Sequence, residues 1–216
     1  MAEVKPKKRY QSPLRAEQAR QTRLRILDVA EKLFAARGYA AATIDGIASA
    51  AGVAADTVYA TFGNKRGVLH GLMDVRVGGD DRDVGVIERE GPQAVRAERD
   101  QKRQLERFAL DIAQIIERAR PVDDIMRSAA AVDVDVAALR SRLQEQRHAN
   151  LRLFVGWVAE NGPLRDGLDE EEAAAIVWTL TSPEVHRLLR AERGWTAERY
   201  VAWLEATLTE TLLPPG

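Results

Sequence analysis

Apolar residues recur at three- and four-residue spacing along most of the chain, and no segment alternates in the manner of a half-buried strand. Ile26, Leu27, Ala30, Leu33 and Phe34 form one helical stripe, opened by Ser12 and Pro13 as cap and first-turn residue and closed by Gly38. Thr43 can cap a short helix that buries Ile44, Ile47, Ala48 and Ala51, and Gly52 breaks it. A second short helix over 55–62 turns Val58 and Phe62 inward. Gly63 and Asn64 then interrupt, and Asn64 caps a helix carrying Val68, Leu69, Leu72 and Met73 to about residue 77, before Gly78-Gly79.

The same pattern continues to the end. Residues 80–91 are acidic and irregular, with one turn at 84–88. Pro92 opens a long helix to about residue 120 with Leu105, Phe108, Ala109, Ile112, Ile115 and Ile116 inward; Pro121 ends it and starts another over 122–131. A helix over 136–161 buries Leu139, Leu143, Leu151, Phe154, Val155 and Val158, and Gly162-Pro163 closes it. Asp169, the Ser182-Pro183 pair and Thr196 open three further segments, the last over 197–213. The predicted fold class is all-α.

Composition narrows the function. The 216 residues include no cysteine, which excludes disulfides, thiolate metal sites and a Cys nucleophile. The basic N-terminus lacks an apolar signal core, and no apolar run approaches the roughly 20 residues that span a bilayer, so a cytoplasmic protein with no membrane partner is expected. A net charge of −1 conceals an asymmetry: residues 1–70 hold 12 basic against 6 acidic side chains, and the remainder 20 against 27. A basic end joined to an acidic domain points to nucleic acid, although Lys5, Lys7, Lys8 and Arg9 of a solvated tail supply four of the charges. His70, His148 and His186 are scattered, with no metal-binding spacing, no phosphate loop and no nucleophile–base set, so no enzyme, cofactor or metal is expected.

Two short helices joined by a glycine-containing turn make a helix-turn-helix. The stretch Ala42-Thr43-Ile44-Asp45-Gly46-Ile47-Ala48-Ser49-Ala50-Ala51-Gly52-Val53, followed by Thr57-Val58-Tyr59-Ala60-Thr61-Phe62-Gly63-Asn64-Lys65, resembles the TetR/AcrR family of transcriptional regulators. Residues 30–38 match the family's first helix as well, and the resemblance covers roughly residues 20–75. It implies a three-helix DNA-binding domain at 12–63 behind a disordered basic arm at 1–11, then a helical ligand-binding and dimerisation domain at 64–216. Gly46, Ala54, Ala55, Asp56 and Ala60 depart from the family's usual residues.

In a helix-turn-helix the second helix enters the major groove, which sets Ala55, Asp56, Thr57, Ala60 and Thr61 nearest the bases. Tyr59 is a backbone contact by resemblance. Thr43 and Lys65 stand at helix N-termini that favour a phosphate, although Thr43 as a cap alone fits equally. Asp56 opposes phosphate unless it caps its helix or accepts from cytosine. Lys7, Lys8 and Arg9 can track the minor groove, or trail in solvent. Candidates for a ligand pocket are Phe108, Ile112, Met126, His148, Leu151, Phe154 and Trp178, all of them compatible with plain core. The resemblance implies a homodimer formed through 170–190 and 197–213, a double-stranded DNA operator and a small-molecule effector. The alternative is an interaction or ligand-binding protein whose DNA reader has degenerated.

Overall fold

Short polar side chains stand where helices must begin, and their oxygens take up the N–H groups that a first turn leaves unpaired. The computed structural model describes residues 13–215. It contains α1 (Pro13–Ala41), α2 (Ile44–Ala51), α3 (Ala55–Phe62), α4 (Lys65–Gly78), α5 (Glu90–Ala97), α6 (Gln101–Ala130), α7 (Val134–Glu160), α8 (Glu170–Leu180), α9 (Pro183–Arg187) and α10 (Ala197–Leu212). A single 3-10 turn, Val86–Glu88, precedes α5, and a wider π-type turn, Leu188–Glu192, extends α9. No strand occurs among the described residues, and the class is all-α. Thr43, Asn64, Asp169, Ser182 and Thr196 each accept a first-turn N–H of the helix they open, an interaction of about 1 kcal/mol apiece. The expected arm at 1–11 and the Ser12 cap lie outside the described residues.

Three boundaries differ from expectation. Gly38 has φ 78° and ψ 157°, so it kinks α1 rather than ending it, and helical bonding resumes to Ala41. Pro92 falls within the first turn of a short α5, where its missing N–H costs nothing. The break after α5 is made by Glu98, whose carboxylate accepts from the N–H groups of Arg99 and Asp100 at 2.9 and 3.2 Å, and by Asp100, which caps α6 through the Arg103 N–H. Pro121 does not divide the next helix: α6 runs through it. Its ring is exposed, so the carbonyl that loses a partner faces water, while Val122, Met126 and Ala129 just beyond are buried and hold the helix in register.

Two apolar cores result. The first joins α1–α4 to Ala119, Val122, Met126 and Ala129 of α6 and to Val136 and Leu139 of α7. The second gathers Val95, Leu105, Phe108, Leu151, Phe154, Val177, Tyr200 and Leu204 from α5, α6, α7, α8 and α10. At 30 residues, α6 is about 45 Å long and is shared by both cores, which makes it the beam between the N-terminal helix-turn-helix and the C-terminal helical domain. No helix among the described residues is long and apolar enough to cross a membrane.

Candidate nucleic-acid interface and ligand cavity

The reader is built from short helices that cannot be stable alone and are held by packing. Ile44, Ile47, Ala48 and Ala51 bury the inner face of α2, and Gly52, at φ 66° and ψ 39°, turns the chain sharply toward α3. Val58 is fully buried and anchors α3; Phe62 packs beneath the Arg23 guanidinium at 5.6 Å. This leaves Asp56, Tyr59, Ala60 and Thr61 exposed along one side of α3, with Ala55 and Thr57 half-buried at its edge. No side chain caps α3, because Ala54 stands at that position. Asp56 in the first turn supplies the negative charge that the helix dipole favours there. The Thr61 hydroxyl donates to the Thr57 carbonyl at 2.7 Å, and half of Tyr59's surface is open.

At the flanks, the Thr43 hydroxyl accepts from the Gly46 N–H at 3.0 Å. A Cβ at position 46 would lie 3.2 Å from that hydroxyl, a tight approach that a shift of a few tenths of an ångström would relieve. Lys65 turns inward. Its ammonium donates to the carbonyls of Tyr39 at 2.8 Å, Ala42 at 2.9 Å and Ala40 at 3.4 Å, and sits 4.3 Å from the Tyr39 ring centre. It thereby ties the end of α1 to the start of α4, a task that sequence spacing does not reveal. Gly67 is likewise structural: a Cβ there would overlap the Phe62 carbonyl oxygen, so only glycine lets α4 begin so close to the end of α3.

Between the two cores lies a cavity of about 690 Å³. Its apolar wall includes Phe108, Ile112, Ile115 and Ile116 of α6 and Leu151 and Phe154 of α7, and the rings of Phe108 and Phe154 stack with centroids 3.7 Å apart. Met73, Val75 and Val77 of α4, which follows the helix-turn-helix directly, and Arg23 of α1 also reach the wall. Four of the seven ligand candidates, Phe108, Ile112, Leu151 and Phe154, therefore share one space; the other three lie elsewhere. Met126 is buried in the first core, and Trp178 lines a separate surface groove near Arg140 and Glu184, with His148 edge-on to it at 6.4 Å. Periodicity puts a residue on an inner face but does not say at which level along the bundle it falls.

Apolar spacing gives no sign of the polar part of the wall. Arg147 donates to the Trp178 carbonyl at 2.7 Å and the Thr181 hydroxyl at 2.8 Å, and burial pushes its pKa down to about 10. Burial pushes the carboxyls of Asp74 and Asp111 up, with His70 and Arg118 respectively opposing the shift. Asp80 bonds Arg89 at 2.8 Å and Arg82 at 2.7 Å, and Asp81 bonds Arg20 of α1 at 3.0 Å.

Residues 26–72 match the family described as bacterial regulatory proteins, tetR family. The chain is 26% identical over 179 residues to the HTH-type transcriptional regulator TtgR of Pseudomonas putida, covering 80% of this chain and 82% of that one. It is 27% identical over 204 residues to the HTH-type transcriptional repressor BepR of Brucella suis biovar 1, covering 92% and 95%. The solved SmeT–triclosan complex superposes with a TM-score of 0.70 at 20% identity, over 91% of this chain and 93% of that one. Residues 26–72 therefore carry a helix-turn-helix that matches the tetR family of bacterial regulatory proteins, and the helical fold of the whole chain is the one seen in that solved neighbour.

Proposed function

We propose that the protein is a dimeric repressor that leaves a pseudo-palindromic operator when a small molecule enters the cavity between its two cores. Residues 12–63 serve as the reader and 64–216 as the regulatory and dimerisation part, acting in the cytoplasm. The observation that carries this reading is the position of the cavity: α1 of the reader and α4, the helix that leads directly out of it, form part of its wall, beside α6 and α7. An occupant that fits one arrangement of these helices better than another shifts the population between them, and it acts only through that difference in affinity.

On the DNA side, Asp56, Ala60 and Thr61 face base edges from the open side of α3, with Ala55 and Thr57 at the margin, and Thr43 and Tyr59 meet the backbone. Two readers need a two-fold partner, and α8 and α10 offer the surface: Trp178 and Trp203 are half-buried, and Leu188 on the turn between these helices is 45% exposed. Lack of any Lys or Arg on α3 favours the second reading, a binding protein with a degenerate reader.

Selection of bound duplexes from a random pool separates the two. A repressor recovers a pseudo-palindrome with half-sites about one helical turn apart, two chains per duplex and a steep salt dependence. Weak, sequence-blind capture by a single chain would overturn the repressor and leave the binding protein.

A further inference from the structure

If the cavity is the effector site, as proposed above, the charges on its wall select the effector's chemistry. Most of those charges are already committed. Arg89 donates to the Gly78 carbonyl at 2.7 Å and to Asp80, Arg82 is paired with the same carboxylate, and Asp81 is held by Arg20. Arg147 is fastened to the carbonyl end of α8, whose partial negative charge compensates it, and lies 5.4 Å from the Trp178 ring centre.

Asp111 is different. It stands on α6 between Phe108 and Ile115, on the same apolar stretch of wall, and packs so closely on Gly91 of α5 that a Cβ there would overlap its carboxylate. No donor among the described residues bonds to it. Arg118, a cation whose charge acts on it, is turned to the carbonyls of Arg76 and Val77 at 3.1 and 3.4 Å. A half-buried carboxylate without a partner is costly in an apolar wall, and a cation supplied from outside removes that cost. Phe108, one helical turn from Asp111, and Phe154, stacked on it, line the same wall, and an outer ring face attracts the same charge.

We propose that the cavity's effector is an amphipathic cation, a quaternary ammonium or protonated amine paired with the Asp111 carboxylate, whose apolar body lodges against Phe108, Ile112 and Phe154. Asp74, on the α4 side of the same wall, is a second carboxylate there, although His70 at 3.6 Å and Arg23 already act on it.

Calorimetric titration of the full chain with three probes of equal chain length, decyltrimethylammonium, decanol and decanoate, tests the charge. The parent should bind the cation about ten-fold more tightly than decanoate, and Asp111→Asn should lose about that factor for the cation with little change for decanol. Asp111→Glu should keep the preference. The charge series on the parent decides the matter even if a variant does not fold. Equal or tighter binding of decanoate, or an unchanged cation affinity in Asp111→Asn, would overturn the cation while leaving the cavity as a site. Ile112→Trp, which sets an indole beside Asp111 and narrows the space, should weaken all three probes together. If none of the probes binds the parent, the effector site itself is refuted together with its charge preference.

Discussion

Lys65 and Gly67 show what single residues do at the junction of α3 and α4. The Lys65 ammonium has three N–H groups and three carbonyl oxygens around it, so none is left for a phosphate. Lys65→Ala should destabilise the fold by about 2 kcal/mol. For a chain of this size that is a fall of roughly 4–8 °C in the thermal midpoint. The salt slope of DNA binding should stay the same; a slope lower by about one ion would put the ammonium on the duplex instead. Gly67→Ala should cost about 3 kcal/mol in denaturant unfolding, because backbone rather than a flexible side chain blocks the added methyl. An unchanged midpoint would contradict that. The caps at Thr43 and Asn64 are legible because cap and recipient are three residues apart. Lys65 is not, since its partners lie 23 to 26 residues away and are carbonyls that every residue carries.

Among the elements, α6 departs most from what its sequence suggests. A proline in mid-helix usually marks an end, yet Pro121 lies on the solvent side while Val122 and Met126 are drawn into the first core. Replacing it restores a backbone hydrogen bond, and Pro121→Ala should raise unfolding stability by up to about 3 kcal/mol. A loss of stability would contradict that reading. The cavity, by contrast, has a trace in the pattern of α7. Between Leu143 and Leu151 its inner stripe is interrupted by Gln144, Arg147 and Asn150, and these three line the space. Apolar spacing identified the faces that pack; only the gap in that spacing marks where packing stops, and the partnerless Asp111 sits across it on α6.

The whole molecule is two cores on one beam, with the reader tied to the rest at several points. Arg20 of α1 bonds Asp81 of the cavity wall, Arg76 of α4 bonds Glu31 of α1, and Arg66 bonds Asp135 at the start of α7 at 2.6 Å. Changes around the cavity therefore meet α1 and α4 directly, and energetic coupling of about 1–3 kcal/mol between the two sites is the scale expected. The all-α class, the helix-turn-helix and most helix starts follow from local pattern, whereas the level of the cavity and the ties across it depend on contacts between distant segments. The decisive measurement is the affinity for the selected operator duplex, read by fluorescence anisotropy with and without decyltrimethylammonium at a concentration that fills the cavity. Weakening by about ten-fold or more in the parent, and far less in Asp111→Asn, is the predicted result. An operator affinity that does not change while calorimetry shows the cavity occupied would contradict a reader governed from that site.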